Sequence, residues 1–209
     1  MAFKINHGEN GLKEFEQNKY TAGFSTQVDS EDFDPGLTEE TVMKLSAIKN
    51  EPEWVTEYRL KAFAHLQTIK EPTWAHVNYA PIDYQALSYY SAPKFRNKDD
   101  IPEEILDTFD KLGVPLHERD ALLGIETKDP NIIPSVALDV VFDSVSIATT
   151  FQKELKKHGI IFCSISEAIQ EHPELVKEYL GSVIPYKDNY FACLNSAVFT
   201  DGTFCYIPK

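Results

Sequence analysis

A chain of 209 residues is long enough for one large domain or two small ones, and with 43% hydrophobic and 12% aromatic residues it can build a core. Its 20 Lys+Arg against 33 Asp+Glu leave a formal net charge of -13, with the basic residues scattered among acids, which argues against nucleic acid as a partner because the phosphate backbone would be repelled. No run approaches the roughly 20 apolar residues of a membrane helix, the first nine residues hold no apolar signal core, and three cysteines, an odd number, point to a reducing, cytoplasmic compartment.

In chain order, residues 1–20 are polar and aperiodic and are expected to form a mobile N-terminal segment. Residues 21–125 read as a helical and aromatic-loop region. Thr38 can cap a helix whose first turn holds Glu39 and Glu40, where acids favour the helix dipole. Val42, Leu45 and Ile48 recur on one face, and Met43 and Ala47 widen that stripe. A second helix starts with Pro52 at its first position and carries Val55, Tyr58, Ala62, Leu66 and Ile69 at helical spacing until Pro72. In 71–100, prolines alternate with aromatics, which reads as ordered chain pinned by rings. Trp54, Trp74, Tyr84 and Tyr89 are expected to be buried and mutually packed. Residues 102–112 predict a short amphipathic helix with Gly113 just past its end.

Residues 126–138, with Pro130 and Pro134, read as an inserted, exposed loop. From 139 to 209 the pattern is mixed. Residues 140–142 and 160–163 are β-prone, and 151–157 predict a helix stopped by Gly159. Ser166 can cap a helical turn, and 173–180 form a helix stopped by Gly181. Residues 190–194, 197–199 and 203–207 read as strands, with Asp201-Gly202 as the turn before the last. Helices first and strands later define an α+β chain, its strands from about residue 140 expected to stack in parallel. A last strand followed only by Pro208-Lys209 leaves an edge that seeks a partner.

The residue types that carry chemistry form no recognisable constellation. Cys163, Cys193 and Cys205 are thirty and twelve positions apart, with no C-x-x-C pair and no histidine at zinc-clamp spacing. Each lies in an apolar β-like run, where cysteine acts as a small buried hydrophobe; persulfide or cluster-ligand roles would need an electropositive, accessible niche. The histidines (His7, His65, His76, His117, His158 and His172) are dispersed, and none are paired at i, i+4. Asp139 and Asp143 flank a β-run and could form an acid–base pair of the glycosidase type, but nothing around them defines a sugar site. The glycines form no phosphate loop and there is no G-x-S-x-G elbow. No catalytic, cofactor-binding or metal residue is therefore assigned, and the chain reads as a non-enzyme.

Several segments, in order, resemble the SufB branch of the SufB/SufD family. They are Lys49-Asn50-Glu51-Pro52-Glu53-Trp54 followed by Tyr58-Arg59-Leu60-Lys61-Ala62; Ile82-Asp83-Tyr84-Gln85 with Ser88-Tyr89-Tyr90-Ser91-Ala92-Pro93-Lys94; the stretch 141–150; Ile161-Phe162-Cys163-Ser164; 172–177; 180–185; and 195–204. The resemblance covers about residues 20–209. It implies a scaffold subunit for iron–sulfur cluster assembly in a SufBCD-type complex, with a SufC-like ATPase and a SufD-like subunit as partners. The fold it implies is an N-terminal helical region leading into the start of a right-handed parallel β-helix. The family continues beyond the segment at 206–209, and its assembly residues and SufC-docking region lie in that continuation. The resemblance thus implies an N-terminal, truncated portion with no cofactor held in this chain, and no family role falls on Cys163, Cys193 or Cys205. Two alternatives stand beside it: an interaction module or inactive remnant that self-associates or binds a partner through its open β-edge, and an independent β-helix enzyme using carboxylates.

Overall fold

The computed structural model describes residues 29–77, 79–94, 139–142, 144–149 and 152–209. The expected mobile segment 1–20, the helix at 102–112 and the inserted loop 126–138 lie outside the described residues.

Among the described residues the first element is β1 (Ser30–Asp32), followed by α1 (Glu39–Ile48) and α2 (Glu53–Leu66). The Thr38 hydroxyl accepts the Thr41 N–H at 3.1 Å and caps α1, with Glu39 and Glu40 in the first turn. Asn50, at φ 50°, takes the left-handed conformation that short polar side chains tolerate, and this reverses the chain into α2. Pro52 is the N-cap of α2, one position earlier than its preferred first helical place. Val55, Arg59, Ala62 and Leu66 face inward. On α1, Val42 and Leu45 are buried, but Ser46 takes the third inward place, and Met43, Ala47 and Ile48 are exposed. The widened stripe expected from spacing therefore points outward.

β2 (Ser91–Pro93) pairs antiparallel with β1. β3 (Asp139–Phe142) and β4 (Val145–Thr149) form a second antiparallel ribbon, whose register slips by one residue between Val140 and Val141. After α3 (Gln152–Lys156) comes β5 (Ile161–Ser164). The helices α4 (Ile165–Glu171), α5 (Pro173–Tyr179) and α6 (Tyr190–Val198) then return the chain to β6 (Thr203–Tyr206), antiparallel to β5. Parallel stacking was expected for strands after residue 140, but every ladder among the described residues is antiparallel.

The clearest departure from the sequence pattern is α6, where two strands were expected over 190–194 and 197–199. Asn189 caps the helix by accepting the Ala192 N–H at 3.0 Å. The small inward residues Cys193, Ser196 and Ala197 let α6 pack closely against α2. A short apolar run has no period that separates a buried strand from a buried helix, and here the cap and the small face decide. Ser164, not Ser166, caps α4.

Two core clusters join the first half of the chain to the second. Val55 packs with Cys163, Ala168, Ile169 and Val176, while Leu37 and Leu66 pack with Cys193. Gly181 sits at the seam for two reasons. Its φ of 69° suits glycine, and an added Cβ would lie 2.8 Å from the Tyr58 hydroxyl, which donates to Ser196 Oγ. The four aromatics expected to pack together do not. The Tyr84 ring packs at a tilt against Tyr190 with centroids 5.6 Å apart, and the Tyr89 hydroxyl donates to the Tyr84 carbonyl at 2.8 Å. Trp54 belongs to the other cluster. Trp74 is 81% exposed and contributes no core volume, because its proline-flanked loop runs over the surface.

Candidate functional site

The three thiols do not converge. Cys163 is buried on β5, and Cys193 is fully buried on α6, where its S–H donates to the Ala62 carbonyl at 3.0 Å. Cys205, expected to be buried, is exposed on β6. Residues directly opposite in a ladder share a face, and neighbours alternate. Cys163 lies opposite Phe204 and Cys205 opposite Phe162, so these two sulfurs point to opposite sides of the ribbon. Burial pushes the Cys163 thiol up to about 12, helped by the charges of Glu167, Glu171, Asp139 and Asp201, and burial also raises Cys193. Both are thiols, not thiolates, near neutral pH.

This has a measurable sign. Cys163 ionises at higher pH in the folded chain than in the unfolded one, whose thiol titrates near 9. Its contribution to stability is fully present below pH about 9 and is lost as pH rises towards about 12. Denaturation series at stepped alkaline pH should show the native chain losing stability more steeply than Cys163→Ala over that window. At pH 8, a thiol reagent should label Cys205 at once and the other two only on unfolding.

Among the described residues no group of three or more His, Cys, Asp and Glu is placed to hold a metal ion. His76 and His158 are exposed, His65 lies edge-on to the Tyr186 ring, and His172 makes no side-chain cap bond to α5. His7 and His117 lie outside the described residues, as does Asp143, so the acid–base pair considered with Asp139 has only one visible member. That member is engaged: Asp139 accepts the hydroxyls of Ser146 at 3.0 Å, Thr149 at 2.7 Å and Thr203 at 2.7 Å, which ties β3 to β4 and to β6.

The strongest polar constellations are two buried ion pairs that sequence reasoning did not single out. Lys49, at the end of α1, spends its three N–H donors on the Ser144 carbonyl at 2.6 Å, Ser166 Oγ at 3.4 Å and Asp201 Oδ2 at 3.1 Å. Asp201 also accepts the backbone N–H groups of Ser146, Ser166 and Gly202 and the Ser166 hydroxyl. The two side chains are 8% and 3% exposed. Arg59 is fully buried on α2. It clasps Glu51 in a two-bond fork, through Nε at 2.7 Å and Nη2 at 2.5 Å, donates Nη1 to the Ala197 carbonyl at 3.3 Å, and lies 3.8 Å from the centre of the Phe199 ring. A signal for Arg59 was present, since it occupies the inward stripe of Val55, Ala62 and Leu66, where a cation demands a partner. Lys49 and Asp201, 152 positions apart, offered none. These groups bind one another across the fold, so the arrangement clamps the α1–α2 hairpin to the 139–209 region.

The amino-acid sequence, compared with known proteins, points to one class. Residues 131–209 match the family model described as the SufBD protein N-terminal region. The iron–sulfur cluster assembly SufBD family protein of Synechocystis sp. is 49% identical over 203 residues, 95% of this chain and 40% of that protein. Its counterpart in Trieres chinensis is 52% identical over 194 residues, 91% of this chain and 38% of that protein. A chloroplastic counterpart in Arabidopsis thaliana is 50% identical over 191 residues, 90% of this chain and 32% of that protein. The chain belongs to the SufBD family and spans at most 40% of the length of these relatives. Among the described residues no helix is long and apolar enough to cross a membrane.

Proposed function

We propose that the chain is the N-terminal portion of an iron–sulfur cluster assembly scaffold of the SufB type, working in a SufBCD-type complex with a SufC-like ATPase and a SufD-like subunit. The observation that carries this reading is identity of about one half, 49% and 50%, spread over nine tenths or more of the chain, to proteins named for iron–sulfur cluster assembly. In this reading the chain is a scaffold and not an enzyme. Residues 139–209 lead into a right-handed parallel β-helix, and the residues that handle the cluster lie in the parts of the relatives that this chain does not cover. Two features support it. The buried polar groups described above are consumed in clamping elements together. Among the described residues β6 pairs with β5 alone, so its outer edge can accept another strand. A reducing, cytoplasm-like compartment suits three cysteines that form no disulfide.

The test is anaerobic reconstitution with iron and sulfide, followed by desalting and visible absorption. Cluster binding needs several ligands converging within a few ångströms, and the thiols described above face apart. The chain is expected to elute colourless. Retention of about one equivalent of iron or more, with a charge-transfer spectrum lost on Cys193→Ser or Cys205→Ser, would overturn the reading and make those cysteines ligands.

A further inference from the structure

The outward face of α1 exposes three apolar residues beside Glu39, Glu40 and Lys44. Met43 is 52% exposed, and Ala47 and Ile48 are exposed beside it. Met43 and Ala47 lie on a nearly flat, open patch together with Glu39, Glu40 and Lys44. A hollow of about 420 Å³ shares Glu40 and Lys44 with it and is walled by Asp32 and Asp34. Between Asp29 and Glu40 the chain carries six exposed carboxylates and no Lys or Arg. Lys44 is occupied by Glu40 at 3.0 Å, and the charged form of Asp32 is favoured by hydrogen bonds from Ser91 and Ser30 and, less, by Lys94 nearby. The rim is held in place: Gly36 N–H donates to the Leu87 carbonyl, and the Gln85 amide brackets both backbone groups of Leu37.

We propose that this face docks a basic, amphipathic segment of a partner protein. Its apolar side chains would cover Met43 and Ala47, and its Lys or Arg side chains would meet Asp32, Asp34 and Glu40. Charge complementarity selects the occupant. An apolar strip rimmed by acids favours apolar groups flanked by cations. It disfavours an anionic membrane surface and a second copy of a chain whose net charge is -13. The proposal is independent of the scaffold reading, because it rests on α1 and the acidic segment before it and not on the cluster chemistry.

The experiment uses the full chain and fluorescence anisotropy with a labelled synthetic helix of about four turns, Leu along one face and Lys on the other. A second helix carries Glu in place of Lys. The Lys helix should bind, with affinity falling as salt rises, and the Glu helix should not. Met43→Gln should weaken binding about tenfold. The double variant Asp32→Asn with Asp34→Asn should weaken it comparably and flatten the salt dependence. Val183→Gln, at an apolar residue 89% exposed elsewhere, and the double variant Glu174→Gln with Glu178→Gln should leave affinity unchanged. Circular dichroism checks that every variant keeps its helices. Equal losses in the control variants would show attraction to acidic protein in general and overturn the proposal. So would failure of the Lys helix to bind, or a dimer in gel filtration that Met43→Gln dissolves, which would assign the face to a second copy.

Discussion

Replacing Arg59 with Met should lower stability by about 3–5 kcal/mol, the range for breaking a buried ion pair from one side. Glu51, 4% exposed, would be left buried without its cation, and the Ala197 carbonyl and the Phe199 face would each lose a contact. Glu51→Met should cost a similar amount by orphaning the guanidinium. The double variant is expected to lose clearly less than the sum, because two apolar side chains can fill the space that two charges filled. Urea denaturation of the four proteins gives the coupling directly. Additive losses would mean that Glu51 and Arg59 are solvated independently and that the helix hairpin is held by apolar contact alone.

The elements that were legible in the sequence are those with local punctuation. Thr38 before two acids, Gly159 and Gly181 after helices, and Asp201-Gly202 before a β-prone run mark boundaries that the fold keeps, because each satisfies backbone groups within a few residues. What was not legible is set by distant partners. Residues 190–199 are apolar enough for either strand or helix. They became α6 because Ala62, Leu66 and Arg59 on α2 offer a helical groove for Cys193 and Ala197. Met43 and Ile48 fit the inward stripe of α1 by spacing alone, yet α2 and α6 cover only the side that carries Val42, Leu45 and Ser46. Trp54, Trp74, Tyr84 and Tyr89 are read from sequence as one packed set, but Tyr84 and Tyr89 meet the start of α6, Trp54 packs in the other cluster and Trp74 is exposed. The cysteines illustrate both outcomes. Cys163 and Cys193 are the small buried hydrophobes expected of their apolar surroundings. Cys205 alternates to the outer side of β6, which a β-run predicts only once its partner strand and register are known. The Lys49–Asp201 clamp was the least legible, since Lys49, Ser144, Ser166 and Asp201 meet only after the whole chain has folded.

The Lys49–Asp201 clamp should be as costly to break as the Arg59 pair, but with a different spatial signature. Lys49→Met removes the cation and leaves Asp201, 3% exposed, with backbone N–H groups and one hydroxyl as its remaining donors. A loss of about 3–5 kcal/mol is expected. Asp201→Asn should cost less, because an amide oxygen can still accept from Lys49 or from the Ser146 and Ser166 amides, although the ammonium loses its counter-charge. The two changes act where α1, the β3–β4 turn, the start of α4 and the approach to β6 converge. Hydrogen exchange should therefore register them locally first. The amides of Ser146 and Ser166, which donate to Asp201, should exchange faster in both variants. Those inside α2, secured by Arg59 and by packing on α6, should keep their protection until the chain unfolds globally. Uniform acceleration across all of these amides would instead mean that the clamp sets only the overall stability. An unchanged rate at Ser146 would mean that Asp201 does not hold the β3–β4 ribbon to the rest of the fold.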